Sequence, residues 1–267
     1  MIKFLKRSCA VALNIMAVVF TFAPEAIFEK YKICPKLSDE INVVIMRLIA
    51  FCVVLMFCTL YLRHRRSICI KGNNYSIKIE YGDLLSMSNC KKVIAFDECF
   101  TTTIGEAPSN IKPTSICGQY LRKNPIQDMQ ALLENAQLVP IRSRSKYQHK
   151  ERYESGRLVP NGEYLLLAFA KLDEDGLGRF FSYEEFLDCL SVLWKEIDKY
   201  YGQKDVCISI LGSGLTRIGD ASFTQQELLD IIIGSYRLSP YKIKSPYQLH
   251  IVCKDGSISL NRIDEND

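Results

Sequence analysis

Apolar residues are distributed unevenly, and their spacing divides the chain into two regimes. In the first, apolar runs are continuous. Ser8–Pro24 contains no charged residue and follows Lys3, Lys6 and Arg7; Ile41–Leu62 contains only Arg47 and ends in Arg63-His64-Arg65-Arg66. Such runs predict helices that are apolar all round, and the second would span about 33 Å, enough for a hydrocarbon core. The first is at the short end of the spanning range, and reaches Phe28 only if Pro24 kinks it. A cleaved signal peptide fits its basic start, but Pro24 follows the one small-residue site, Thr21-x-Ala23. A buried core hairpin would leave two basic-flanked runs side by side without a reason. The expectation is a two-helix transmembrane hairpin over residues 1–66. Basic residues near its ends favour both termini inside, hence a multi-pass inner-membrane protein with a cytoplasmic soluble domain. Arg47 would lie near the outer end, snorkelling outward or lining a pore.

From residue 67 the pattern switches to short alternating or apolar runs separated by turn residues. Tyr75–Tyr81 places Ile77 and Ile79 on one face and Ser76, Lys78 and Glu80 on the other, a half-buried strand that stops at Gly82-Asp83. Lys92–Phe96 is a second strand, leading into a long loop past Pro108 and Pro113. A helix is expected over Ser115–Leu138, broken at Pro125 with Asn124 as a new N-cap. Residues 142–157 are polar and charge-rich, an exposed excursion. Asn161-Gly162 turns into Glu163–Leu172, the most apolar strand. Ser182–Tyr201 is a helix with Ser182 and Glu185 as a capping box and Phe186, Leu190, Leu193, Trp194 and Ile197 as its buried face. Val206–Leu211, a helix at about Ser222–Ser235, a strand at Gln248–Cys253 and a last strand at Ser257–Leu260 complete the series. Strands alternating with helices over residues 67–267 predict one α/β domain with a central sheet. Ligands of such sheets sit at the carboxyl ends of strands, so the loops at Gly82-Asp83, Asp97–Ser115 and Gly212–Gly219 should open on one side.

The last of these loops carries the most chemistry. Val206–Leu211 runs into Gly212, Ser213, Gly214, Leu215, Thr216, Arg217 and Gly219, and a helix follows. Strand, glycine-rich loop and helix present backbone N–H groups to a phosphate, while the hydroxyls and the arginine can add charge-assisted hydrogen bonds. A tight turn alone would also use these glycines. The loop lacks the Gly-Lys-Ser/Thr of the P-loop, and its Gly-x-Gly-x-x-x-x-Gly spacing is one residue longer than the dinucleotide fingerprint.

Composition narrows the alternatives. The formal charge is +4, with basic and acidic residues interspersed, so no nucleic-acid stripe is expected. Eleven cysteines are present without a Cys-x-x-Cys pair or zinc spacing, and several lie in apolar runs, which argues for free thiols in a reducing compartment. Asp173-Glu174-Asp175-Gly176-Leu177-Gly178 with Glu184 has calcium-loop spacing, but Leu177 occupies a ligand position and a strand precedes it, so a strand-to-helix turn is the better account. Asp83 suits a helix cap or an acceptor for an exocyclic amine. Asp97 and Glu98, at a strand end, suit ribose hydroxyls or solvent. His149 and His250 have no hydroxyl or thiol partner by spacing and are not read as catalytic.

Residues about 75–262 resemble the macro domain, an ADP-ribose-binding module, through Gly82-Asp83, the strand Val93–Phe96 and Leu211-Gly-Ser-Gly-Leu-Thr-Arg-Ile-Gly219. More narrowly, the two preceding apolar runs, Phe96-Asp97-Glu98-x-Phe100, Ser115-Ile116-Cys117-Gly118-Gln119 and Leu-Gly-Ser-Gly-Leu-Thr resemble the macro-domain effectors of type II Thoeris anti-phage systems. The resemblance implies a macro-like three-layer α/β sandwich with a mixed central sheet. It implies an ADP-ribose derivative such as histidine-ADP-ribose as ligand, with no other cofactor. Asp83 would accept from the adenine amino group and Gly212–Gly219 would wrap the diphosphate. It further implies a TIR-domain partner that makes the signal, homo-oligomerisation, and disruption of the host membrane in abortive infection. Hydrolytic macro domains carry an Asn-x-x-Asn-like segment and a glycine run where this chain reads Ala95-Phe96-Asp97-Glu98-Cys99-Phe100-Thr101. That departure favours a non-enzymatic sensor. An ADP-ribosyl hydrolase and a membrane tether for ADP-ribosylated proteins are the alternatives.

Overall fold

A computed structural model describes residues 2–22, 38–107, 109–214, 216–219 and 222–263, and divides the chain into two compact units, Met1–Arg66 and Ser67–Asp267. The first contains α1 (Ile2–Phe22) and α2 (Asp39–His64), which pack on one another. Ser8, Ala12 and Met16 recur every fourth residue on α1 and are buried, as are Cys58 and Leu62 on α2. The Arg47 guanidinium lies 5.4 Å from the Phe20 ring centroid, a cation–π contact between the helices. Ser38 caps α2, with Asp39 and Glu40 in its first turn and Arg63 in its last, each charge matched to the helix dipole.

The paired transmembrane hairpin is corrected here. Among the described residues only α2 is long and apolar enough to cross a membrane, with a mean hydropathy of 2.7 over its best window. The apolar part of α1, Ser8–Phe22, rises about 22 Å against a core of about 30 Å, because Lys3, Lys6 and Arg7 occupy its first turns. The multi-pass placement with two spanning helices therefore does not stand, and the topology built on it goes with it.

In the second unit nine strands form one sheet in the order β1-β2-β9-β7-β3-β5-β6-β8, with β4 also on β5. The strands are β1 (Ser67–Gly72), β2 (Tyr75–Tyr81), β3 (Cys90–Asp97), β4 (Leu158–Asn161), β5 (Tyr164–Leu172), β6 (Gly178–Phe180), β7 (Asp205–Ser209), β8 (Arg217–Ile218) and β9 (Leu249–Cys253). Neighbours from β2 through β9, β7 and β3 to β5 are parallel, whereas β1 and β4 pair antiparallel, so the sheet is mixed. Parallel strands are covered on both faces, which is why they read as apolar runs. Side-chain alternation divides them between two cores. Val93, Leu165, Leu167, Val206, Ile208, Leu249 and Ile251 face one layer; Ile94, Phe96, Leu166, Ala168 and Cys207 face the other.

The first layer is α5 (Tyr183–Tyr200) with α6 (Gln225–Leu238). Trp194 and Tyr236 are at most 1% exposed and meet edge to face at 4.9 Å, and Trp194 Nε1 donates to Ser235 Oγ at 3.1 Å. Burying an aromatic or aliphatic side chain of this size contributes about 1.5–3 kcal/mol, which makes this contact the main lock between the two helices. The second layer is α3 (Ile116–Lys123) with α4 (Met129–Asn135), joined across Pro125. Pro125 ends the helix as expected, but Asn124 closes α3 and Asp128, accepting from Ala131 N–H at 2.9 Å, caps α4. The C-terminal segment is a helical turn, α7 (Leu260–Ile263), rather than a strand. Its Leu260 and Ile263 are buried, a spacing of three that a strand would place on opposite faces.

Cysteine is mostly interior. Cys90, Cys117, Cys189, Cys207 and Cys253 are buried and free, and burial pushes the Cys253 thiol up to about 12.

Candidate functional site

Because β2, β9, β7, β3 and β5 run parallel, the chain leaves all of them on one edge, and the loops after β2, β3 and β7 share it. After β7, Ile210 and Leu211 are still buried, and the chain turns at Gly212 with φ +81°. Ser213 closes this turn on itself, its N–H and hydroxyl both donating to Ile210 O at 3.4 and 2.6 Å. An added Cβ at Gly214 would meet nothing within 4 Å, so the backbone there is open to an approaching group. The loop then forms β8, parallel to β6, and Gly219 N–H donates to Phe180 O at 2.8 Å. Thr224 caps α6 reciprocally with Glu227.

Between this loop and the start of α6 lies a cavity of about 510 Å³. Of the residues expected to contact a ligand, Gly212, Ser213, Gly214, Thr216, Arg217 and Gly219 line it, together with Arg179, Phe223 and Gln225, which the sequence reading did not name. Leu215 lies outside the described residues. Arg179 was hidden because the turn before it read as a possible calcium loop. In the structure that turn is tied by Asp173, whose Oδ1 accepts from Asp175 and Leu177 N–H at 3.1 and 2.9 Å and whose Oδ2 takes Arg179 Nε. Burial pushes the Asp173 carboxyl up, but the Leu177 amide and the Arg179 guanidinium outweigh it and hold the carboxyl below its ordinary range. The turn enters a strand, not a helix, and no cluster of three metal-ligating side chains exists among the described residues.

The three carboxylates expected at the ligand have other engagements. Asp83 caps a short 3₁₀ turn, Leu84–Ser86, accepting from Leu85 N–H at 3.2 Å and Ser86 Oγ at 2.5 Å. Asp97 Oδ1 accepts from Cys99 and Thr101 N–H at 2.8 and 3.2 Å; burial raises its pKa against those two bonds. Glu98 is 1% exposed and points inward. Its Oε1 accepts from Ser145 Oγ at 2.7 Å and Leu172 N–H at 3.1 Å, and its Oε2 pairs with Arg152 at 3.0 Å. It thereby fixes the segment 142–157, which is mostly exposed as expected but pinned to the domain through the buried Ser145 and Tyr153.

Residues 77–254 match the family described as Thoeris protein ThsA, Macro domain. The Thoeris protein ThsA of Bacillus amyloliquefaciens (strain Y2) is 27% identical over 197 residues, a match covering 70% of this chain and 65% of that protein. The chain thus spans less than two thirds of that curated relative. Among solved structures, the Oceanobacillus iheyensis macrodomain with ADP is similar at 10% identity and TM-score 0.43, and a glycine-to-valine mutant of it with ADPR at 10% and 0.44; each match covers 75% of this chain and 98% of the other. The expectation of a non-enzyme is corrected by this kinship. Membership in a macro-domain family is consistent with hydrolase activity.

Proposed function

The chain belongs to the ThsA macro-domain family of Thoeris proteins, and on that premise we propose that its second unit binds an ADP-ribose-type nucleotide, such as histidine-ADP-ribose, in the cavity beside α6. One observation carries this reading: Gly212, Gly214 and Gly219 expose loop backbone beside two arginines at the edge where the parallel strands end. The protein would act in antiviral defence as a membrane-associated sensor and effector. A TIR-domain partner supplies the nucleotide; binding orders the glycine loop and the Asp97–Ser115 loop, promotes homo-oligomerisation, and turns the apolar N-terminal unit against the membrane. Support for that last step is the lateral surface of α2, where Val44, Leu48, Phe57 and Tyr61 are each more than 60% exposed. Asp83 and Asp97, at the ends of β2 and β3, bond their own loops, and the lone pairs left over on each carboxylate are the proposed acceptors for the adenine and ribose ends.

Calorimetric titration of the full chain in detergent with ADP-ribose tests the binding step; absence of heat at ligand concentrations up to millimolar defeats it. Leakage of dye from liposomes carrying the protein, on addition of the same ligand, tests the effector step. A second reading, hydrolysis of an ADP-ribose derivative, draws on Asp97, a carboxyl at the end of β3 whose pKa burial raises above its ordinary value. Chromatography of ligand before and after incubation separates it from sensing alone.

A further inference from the structure

Arg179 and Arg217 stand directly opposite one another in the parallel pair β6–β8, and Phe180 and Ile218 do the same one residue on. Alternation places the phenylalanine and the isoleucine in the core, at 1% and 3% exposure, and both arginines on the cavity side. Like charges in register on adjacent strands repel, and a short pairing of this kind is stabilised when an anion lies between them. The two guanidinium groups are held differently. Asp173 takes the Nε of Arg179 and leaves its terminal nitrogens for another acceptor. Arg217 is exposed and has no ion pair among the described residues.

We propose that Arg179, aimed by Asp173, and Arg217 form a two-arginine clamp that makes the cavity selective for a diphosphate over a monophosphate. The glycine loop serves the inner phosphate through backbone N–H groups, and the clamp takes the outer one. A planar guanidinium whose Nε is already fixed presents its outer edge in one orientation, which favours bidentate contact with a phosphate. Asp173 is a positioning residue here, since it reaches the ligand only through Arg179. The proposal rests on the nucleotide-binding reading above and deepens it.

The test uses the full chain in detergent and titrates AMP, ADP and ADP-ribose into wild type, R179Q, R179K, R217Q and D173N. Wild type should prefer ADP to AMP. R179Q and R217Q should each weaken ADP and ADP-ribose by about tenfold or more, as expected for a lost charge-assisted contact, and change AMP by less than about twofold. R179K should fail to restore ADP affinity, because an ammonium cannot serve Asp173 and the phosphate in the same fork. D173N keeps an oxygen for the Asp175 and Leu177 amides, so the turn should survive while ADP affinity falls about threefold and AMP affinity does not. A purely structural role for Asp173 would lower both nucleotides together.

If wild type binds ADP-ribose and both glutamine variants bind ADP as wild type does, the clamp is overturned while nucleotide binding stands. If wild type binds none of the three nucleotides, the parent reading falls and the clamp with it. Should R179Q not fold, R217Q at its exposed position decides the question alone.

Discussion

The loops that follow β3 and β7 leave the same edge of the sheet and have opposite polar organisation. After β3, Asp97 takes two backbone amides, Glu98 takes an amide, a hydroxyl and an arginine, and Gly118 packs against the loop so closely that a Cβ would lie 2.2 Å from Lys112 O. After β7, the turn closes through Ser213 alone, Gly214 faces open space and Arg217 has no ion pair among the described residues. Among the described residues, the first loop is tied mostly by carboxylates of its own chain, and the second is tied at Ser213 and Gly219 and left open at Gly214. Carboxylates at a strand end are therefore poor guides to a ligand until their own backbone amides have been accounted for.

Four experiments test this contrast. Glu98→Ala should have the largest effect. Removing it leaves the Leu172 amide without its acceptor and strips Arg152 of its carboxylate, leaving only the Ser143 oxygens, and breaking such a buried pair costs about 3–5 kcal/mol. Thermal unfolding should shift accordingly, and a shift of less than a few degrees would show that segment 142–157 is not held by Glu98. Gly118→Ala should cost about 1–3 kcal/mol, because the atom it meets is backbone and cannot turn aside. Denaturant unfolding measures it.

Gly214→Glu should do the reverse, moving stability by less than about 0.5 kcal/mol while weakening ADP-ribose by at least about tenfold, or about 1.4 kcal/mol. Unchanged affinity would place the nucleotide elsewhere. The smallest effect is a pH dependence of opposite sign at Asp97 and Asp173. The folded pKa of Asp97 is raised, so its contribution is full below about pH 3.9 and is lost as pH rises through the folded value. That of Asp173 is lowered, so its contribution is full above about pH 3.9 and is lost as pH falls through the folded value. Urea unfolding of Asp97→Asn and Asp173→Asn against pH should show differences from wild type that slope in opposite directions.

Much of the sheet is legible in the sequence because Leu165–Ala170 and Val206–Ile208 bury both faces and read as apolar runs. The helix cap at Ser182 is legible for a similar reason, since it uses a side chain within three residues. What escapes is non-local. Strands β6 and β8 are too short to carry a period, and the cavity exists only because they meet. Arg179 gains its meaning from Arg217, which no spacing rule connects to it. Glu98 reads as a ligand group beside Asp97 because its partner Arg152 lies 54 residues away. The N-terminal unit shows the limit of composition: both apolar runs form helices, but charge near its start leaves α1 short of a membrane's thickness.

The buried thiols give the domain a clock of its own. Cys117 lies within α3, on its buried face, and Cys189 within α5, on opposite sides of the sheet, and burial raises the pKa of both. An alkylating reagent can reach either one only when its layer lifts away, so modification rates at the two sites time the opening of each layer separately, without an introduced label. Equal rates would mean that the sandwich breathes as one body. Faster loss at Cys117 would mean that the short helices on either side of Pro125 come away first, while α5 and α6 still hold the glycine loop in place.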